Sequence, residues 1–511
     1  MSPYTLLALS VIAVLAAGTY LQQRLQYRKK QRALRAKLRA EWGRPKSIAR
    51  DLPLLASYHQ AVSADGGGAV DDRTWRDLDL DAVFGFLDRT ESIVGRQILY
   101  HRLRSTTYSP AGLSGFDDLV EVWRRDEATR LDVQVTLGSL AENSTYWLWS
   151  LVLEPIEPLA RWAVIYPLFA LAMALLILLT AAFHGPFLVL AVLGLVAGGA
   201  LRARFGRRLV PLVEPFRDMA RLLGVAERLG RMEYLPTGVR QRLTGPLPAL
   251  ARLRRSAGWL GRAQTGTADL SGLAIEYLNL VFCLDANAAM IGVRELRRHQ
   301  DEMHETFRAV GELDAALSVA SVRSGGEAWT RPVFVPDDEP AALADLRHPL
   351  LDNAVPNSVT LGSPAGMLVT GANMTGKSTF LRTVGVNVVL AQTIDTAFAS
   401  TYRAPWLSVA SCIGAASAVL ACLVSGPARC LVIAATHDLE IVSLLASDYA
   451  VVHFADELRD GGLYFDYLLR PGPTTTRNAI ALLGVLGAPP EVVAEALART
   501  ERLRGDQRKP L

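Results

Sequence analysis

The residues with the clearest chemical signature are Gly371, Ala372, Asn373, Met374, Thr375, Gly376, Lys377, Ser378 and Thr379. They spell G-x-x-x-x-G-K-[ST], preceded by the apolar run Met367-Leu368-Val369-Thr370 and followed by a helix-like segment, Thr379–Leu390. A strand, a glycine loop and a helix in that order make a phosphate-binding loop. The glycines let successive backbone N–H groups turn toward one phosphate, and the helix start adds partial positive charge. Lys377 would reach the β- and γ-phosphates, and the Ser378 hydroxyl would ligate Mg²⁺. Lys377 is the only lysine between residues 47 and 508, so a chance match to the pattern is rare.

Hydrolysis asks for more: an Asp ending an apolar strand to hold Mg²⁺, with a Glu beside it to position water. Between Thr379 and Thr436 the only acid is Asp395, and no apolar strand precedes it. The next strand candidate, Cys430–Ala435, contains no acid and ends at Thr436-His437-Asp438. His437 is either a surface or capping residue or, at a strand end in such a domain, a candidate γ-phosphate contact. Asp438 reads as the N-cap of a helix over Leu439–Leu445.

The elements that carry this motif sit in an apolar chain. Of its 511 residues 50% are hydrophobic and 20% charged. That excludes a disordered chain and suggests membrane spans. Four Cys without a CxxC pair argue against a disulfide framework or a structural zinc site. The formal charge of +4 is unevenly spread: residues 24–50 hold eleven Lys/Arg and one acid, a local +10, which leaves −6 elsewhere. A globally basic nucleic-acid binder is disfavoured.

Residues 1–23 have no charged side chain, and Tyr4–Leu21 is long enough to span hydrocarbon. The positive charges follow this run, at Arg24, Arg28, Lys29 and Lys30, so it reads as an uncleaved anchor with its downstream flank in the cytoplasm. A second uncharged stretch, Trp162–Leu201, is broken by His184-Gly185-Pro186 and reads as a hairpin of two spans, about 162–183 and 186–201. A buried hairpin in a soluble core is the alternative. The basic segment 24–50 fits anionic lipid headgroups or a nucleic-acid patch.

Six segments are expected: an anchor over 1–23, a basic juxtamembrane segment and linker over 24–70, helical regions over 71–160 and 203–330, the hairpin over 161–202, and an α/β nucleotide domain over 331–511. In the first helical region Leu80, Val83, Phe84 and Leu87 share one face. In the second, Leu270–Leu317 reads as a long amphipathic run.

At this point the sequence resembles the MutS mismatch-repair family, specifically membrane-anchored relatives. The most specific match is the Asn-Met-x-Gly-Lys-Ser-Thr wording within Gly371–Thr379. Phe86-Leu87-Asp88-Arg89-Thr90 with Gly95-Arg96-Gln97-Ile98-Leu99 resembles the core-lever stretch, and Arg347-His348-Pro349-Leu350-Leu351 the segment leading into the ATPase. Ala435-Thr436-His437-Asp438, Phe465-Asp466-Tyr467, Asn478-Ala479-Ile480 and Gly487-Ala488-Pro489 resemble later parts of that domain. The resemblance covers about 75–150 and 205–505. It implies an α/β P-loop NTPase domain of the MutS/ABC type at the C-terminus, behind an all-α lever region with transmembrane helices. It also implies ATP and Mg²⁺ as cofactors, Asn357 and Tyr467 on the adenine side, a homodimer through the ATPase domains, and binding of mismatched DNA. The expected location is a bacterial-type inner membrane with the ATPase in the cytoplasm.

The sequence departs from that pattern. No mismatch-reading domain or Phe-x-Glu wedge precedes the lever stretch. Gly414 runs straight into Ala415-Ala416-Ser417-Ala418-Val419-Leu420 where the family has its signature segment and acidic strand. A βα step takes about 30 residues, so the 60 residues from Lys377 to His437 cannot hold every element, and a stretch is missing around Ile413–Ala416. Two readings stay open, a degenerate ATPase or a damaged copy of an active one. Loss of that strand would weaken its parallel neighbours. A membrane scaffold or nucleotide switch without a DNA role is the alternative function.

Overall fold

Apolar residues at helical spacing dominate the first three-fifths of the chain, and helices form there. The computed structural model describes residues 3–63, 70–105, 110–157, 161–183, 186–264, 270–362, 366–372, 374–410, 432–436, 439–459, 462–473 and 489–506. By packing, the chain forms two units. One comprises Met1–Asp65, Asp88–His101 and Asp118–Gly325; the other comprises Gly66–Leu87, Arg102–Asp117 and Gly326–Leu511. The division is thus discontinuous, with residues 66–87 and 102–117 joining the C-terminal part.

The first unit is helical. Its opening helix, Pro3–Glu41, runs through both the apolar start and much of the basic segment. The later part of that segment is tied to the fold by charge. Arg39 meets Glu127 at 2.6 Å, Lys46 meets Glu91 at 2.8 Å, and Arg50 meets the fully buried Asp88 at 2.7 Å. The Arg130 guanidinium lies 3.9 Å from the Trp42 ring centre. Arg24, Arg28, Lys29, Lys30 and Arg32 stay exposed. The expected amphipathic run Leu270–Leu317 is cut into Leu270–Phe282, Leu284–Arg298 and Gln300–Arg323. Cys283 makes the first break in a left-handed conformation (φ 48°), which stops helical propagation.

The apolar hairpin is two helices, Ile165–Phe183 and Pro186–Gly230, the second 45 residues long. Among the described residues one helical stretch, Trp162–Phe183, is long and apolar enough to cross a membrane; Val189–Leu201 is a shorter apolar one. Leu168, Leu171, Leu175 and Leu178 face outward, and Tyr166 and Met173 are the buried positions of the first helix. The helices approach at Gly194, where a Cβ would fall 2.4 Å from Met173 Sδ. A small residue there permits close backbone packing.

Among the described residues the second unit holds eight strands. β1 (Val333–Phe334), β2 (Ala341–Leu346), β3 (Asn357–Leu361) and β5 (Thr401–Ala404) form one sheet in the order β1-β5-β2-β3. β4 (Gly366–Thr370), β6 (Val432–Ala435), β7 (Tyr449–Arg459) and β8 (Gly462–Pro471) form the other, in the order β6-β4-β7-β8. β4 runs parallel to both neighbours, and β7–β8 is an antiparallel hairpin. Every β4 residue is buried, as a central strand covered on both faces requires. Met367 and Val369 join Phe380, Val384 and Val388 of the helix Lys377–Ile394, while Leu368 packs with Val442 and Leu445 of the helix Leu439–Leu445. The result is a mixed α/β unit with a parallel core.

β6 pairs only with β4 among the described residues, and its apolar Val432, Ile433 and Ala434 are half-buried. The stretch around Ile413–Ala416 lies outside the described residues.

Candidate functional site

β4 ends in Thr370, and the chain then leaves regular geometry. Gly371 has φ 140° and Gly376 φ 102°, both in the region that glycine tolerates. A Cβ on Gly371 would also stand 2.9 Å from the Phe454 carbonyl oxygen. Met374, at φ 72°, is largely exposed at the loop tip. Gly376 then caps the helix Lys377–Ile394. The Phe380 N–H donates to Gly376 O at 2.9 Å, so the preceding N–H groups of Lys377, Ser378 and Thr379 lie at the helix start, where no intrahelical acceptor exists.

The Lys377 ammonium donates to Gly371 O (2.7 Å) and Ala372 O (2.6 Å). The Thr375 hydroxyl closes the same turn on Ala372 O at 2.9 Å. Burial pushes the Lys377 ammonium below the ordinary lysine range. A partly desolvated cation at a helix start is a strong attractor for a multiply charged anion. The helix itself is braced from behind. Arg382 donates to Asp77 O at 2.8 Å, Arg102 to Thr393 O at 2.6 Å, and Gly385 lets Leu78 approach closely.

Beside the loop lies a cleft of about 550 Å³. Gly376, Lys377, Ser378 and Thr379 line it, together with Asn357 and Tyr467. Asn357 starts β3 and holds β8 through its amide. Its Nδ2 donates to Tyr467 O (3.0 Å), and its Oδ1 accepts from the Leu469 N–H (2.8 Å). This clamp fixes Tyr467 at φ 56° with its ring against Gly376, whose Cβ position would be 3.2 Å from Tyr467 Cδ1. The structure therefore brings together Gly376, Lys377, Ser378, Thr379, Asn357 and Tyr467. Asn373 and His437 lie outside the described residues, as do Asp438 and Asn478-Ala479-Ile480.

Sequence reasoning missed part of the lining. His348, Val355, Phe380 and Phe454 also face the cleft. His348 is buried and held below the usual imidazole range by burial, then by the nearby Arg382 charge. Its Nδ1 accepts from the Leu350 N–H at 3.4 Å. The signal was the Asp352-Asn353 pair, a turn former; Asn353 has φ 59° and folds the 351–355 loop over the cleft. Asp352 is the one carboxylate among the described lining residues. Asp395 is no counterpart to a Mg²⁺-holding acid. It caps the far end of the 18-residue helix, roughly 27 Å from Lys377 at 1.5 Å per residue.

Among known proteins, no family model matches the chain. It is 28% identical over 261 residues to the DNA mismatch repair protein MutS of Thermus thermophilus, covering 41% of this chain and 31% of that protein. It is 42% identical over 101 residues to the DNA mismatch repair protein MSH2 of Zea mays, covering 18% and 11%. It is 40% identical over 96 residues to MutS of Methanothrix thermoacetophila, covering 18% and 11%. The chain spans about a third or less of the length of these relatives. With its parallel core, its glycine loop and the cleft beside Lys377, the chain is similar to the MutS and MSH proteins over part of its length.

Proposed function

We propose that this protein is a membrane-attached, MutS-like nucleotide-binding protein whose cleft takes ATP with Mg²⁺. The observation that carries this reading is the meeting of two features. A glycine loop with its lysine ammonium on the loop carbonyls stands at a helix start, and Tyr467, whose backbone Asn357 holds, lines the same cleft with its ring against Gly376. The backbone N–H groups at Lys377–Thr379 and the Lys377 ammonium would receive the phosphates. The Ser378 hydroxyl is exposed at the cleft and would give Mg²⁺ one ligand. Tyr467 and the apolar side, Val355 and Phe380, would take the base. When bound, Mg²⁺ would neutralise phosphate charge.

The protein's task under this reading is a switch. Among the described lining residues of the cleft Asp352 is the sole carboxylate. The sequence between Thr379 and Thr436, whose one acid is Asp395 with no apolar strand before it, supports binding without efficient hydrolysis. Kinship with DNA mismatch repair proteins supports a second copy as partner through the nucleotide-binding units, and mismatched DNA as a candidate ligand. The apolar Trp162–Phe183 stretch, with leucines on its outer face, supports lipid as its surroundings. The basic flank that follows the first apolar run, Arg24 to Lys30, supports a cytoplasmic nucleotide-binding unit.

The test is equilibrium binding of a fluorescent ATP analogue to the full detergent-purified chain, wild type beside Lys377→Ala. Mg²⁺-dependent binding by the wild type alone is expected. Equal binding by both, or none by a folded wild type, would leave a membrane scaffold as the better reading.

A further inference from the structure

A second cleft, of about 670 Å³, lies in the helical unit between Ala251–Gln264 and Leu284–Arg298. The two helices run in opposite directions, because each has its own sense against Pro186–Gly230. Along that helix Gly261 sits by Arg217 and Arg254 pairs with Glu227, so Ala251–Gln264 is antiparallel to it. Cys283 sits by Gly198 and Gly292 by Phe216, so Leu284–Arg298 is parallel to it. The start of the first cleft helix therefore lies beside the end of the second.

That end of the cleft collects Arg252, Arg255, Arg294 and Arg298. Arg298 reaches Glu295 at 3.6 Å, and Glu295 is the single carboxylate of the lining. Arg252, Arg255 and Arg294 have no acidic partner among the described residues. The neighbouring Arg254, by contrast, is turned away and paired with Glu227. The four guanidinium groups are exposed, so water and salt screen their mutual repulsion, and a multiply charged anion bridging them would replace it with attraction. Guanidinium forks match phosphoryl oxygens two at a time. The rise is about 4.5 Å from Arg252 to Arg255 and about 6 Å from Arg294 to Arg298. Such a cluster fits a compact diphosphate rather than a long strand of phosphates. Toward Leu284 the cleft turns apolar, with Trp259 and Ile291 in its walls, and the Trp259 indole N–H is shielded from solvent without an acceptor.

We propose that this cleft binds an amphipathic diphosphate-class anion, its charged head among the four arginines and its apolar or aromatic body against Trp259. The body can come from a soluble nucleotide-like molecule or from a membrane lipid; the head chemistry is the same.

The test uses the full chain carrying Lys377→Ala, so that the glycine loop contributes no phosphate binding, and inorganic pyrophosphate as the probe in calorimetry. One saturable site is expected, weakened at least tenfold when Arg252→Ala and Arg294→Ala are added. Arg297→Ala, exposed and outside the cleft, serves as the folding and charge control and leaves affinity unchanged. Competition by vesicles containing a prenyl diphosphate, with none from ADP, assigns the body to lipid; the reverse assigns it to a soluble nucleotide. Unchanged pyrophosphate affinity in the folded double variant overturns the proposal. So does absence of saturable pyrophosphate binding, including the case in which a DNA oligonucleotide binds and pyrophosphate does not.

Discussion

The side-chain amide of Asn357 bridges β3 to the backbone of Tyr467, donating to its carbonyl at 3.0 Å while accepting from the Leu469 N–H at 2.8 Å. Asn357 is therefore a positioning residue: it sets the backbone that aims the Tyr467 ring at Gly376. Asn357→Ala should free Tyr467 from φ 56° and weaken ATP-analogue binding about tenfold, near 1.4 kcal/mol. Tyr467→Phe keeps the ring that lies against Gly376 and should bind like the wild type, whereas Tyr467→Ala should match Asn357→Ala. Fluorescence titration of the three variants checks this. A normal affinity for Asn357→Ala would remove the clamp from the account.

Gly371 combines φ 140° with a Phe454 carbonyl oxygen 2.9 Å from its Cβ position. Gly371→Ala is thus strained in conformation and in space together. It should cost about 1–3 kcal/mol of stability and abolish saturable nucleotide binding. Gly472 has φ 85° but open space around its Cβ position. Gly472→Ala should keep nucleotide binding and lose stability only. Thermal melts paired with titration separate the two cases.

Much of the site could be read in the sequence because local chemistry dictates it. The order apolar strand, glycine loop, lysine and helix leaves the backbone few choices, and β4 with Lys377–Ile394 follows that order. The Asn357 and Tyr467 part of the lining could not be read the same way. Asn357 meets Tyr467 across 110 positions of sequence, a contact made by β3–β8 proximity and not by any periodicity. Residues 71–87 and 102–117 read as part of a helical region, and Leu80, Val83, Phe84 and Leu87 are buried in the helix Leu80–Leu87. What periodicity cannot convey is which partner buries them; Phe86 meets Phe398, and Leu78 meets Gly385. In the basic segment, Arg39, Lys46 and Arg50 look like free surface charge until Glu127, Glu91 and Asp88 are found beside them.

Asp314 supplies a pH-dependent element in the helical unit. It is fully buried and accepts from the N–H groups of Glu91 and Ser92 at 2.9 and 2.7 Å, and from the Ser92 hydroxyl. Burial raises its carboxyl to about 6 despite those bonds. The folded chain then holds a proton that the unfolded chain releases nearer pH 4. This contribution to stability is complete below the unfolded value and is lost as pH rises through about 6. Asp314→Asn keeps one acceptor oxygen and loses the other. It should lower stability by about 1–3 kcal/mol and flatten the decline between pH 4 and 6.5. Denaturant midpoints across that range, wild type against variant, check the sign; parallel curves would dismiss Asp314 as the titrating group.

Gly198 lies where Pro186–Gly230 meets two other helices. A Cβ there would stand 2.6 Å from Leu280 O and 3.2 Å from Phe169 Cζ. The backbone oxygen of Leu280 cannot swing aside as a side-chain tip can, so Gly198→Val must push Leu270–Phe282 away from the hairpin. Core overpacking of this kind costs about 1–3 kcal/mol. Gly199, one residue on, has its nearest contact at 3.8 Å, from a flexible Leu280 methyl. Gly199→Val should therefore be tolerated. If Trp162–Phe183 and Val189–Leu201 lie in lipid, the Gly198→Val loss should be visible as faster detergent inactivation while nucleotide binding by the freshly prepared protein stays normal. Equal inactivation rates for the two valine variants would mean that the Gly198 contact does not hold these helices together.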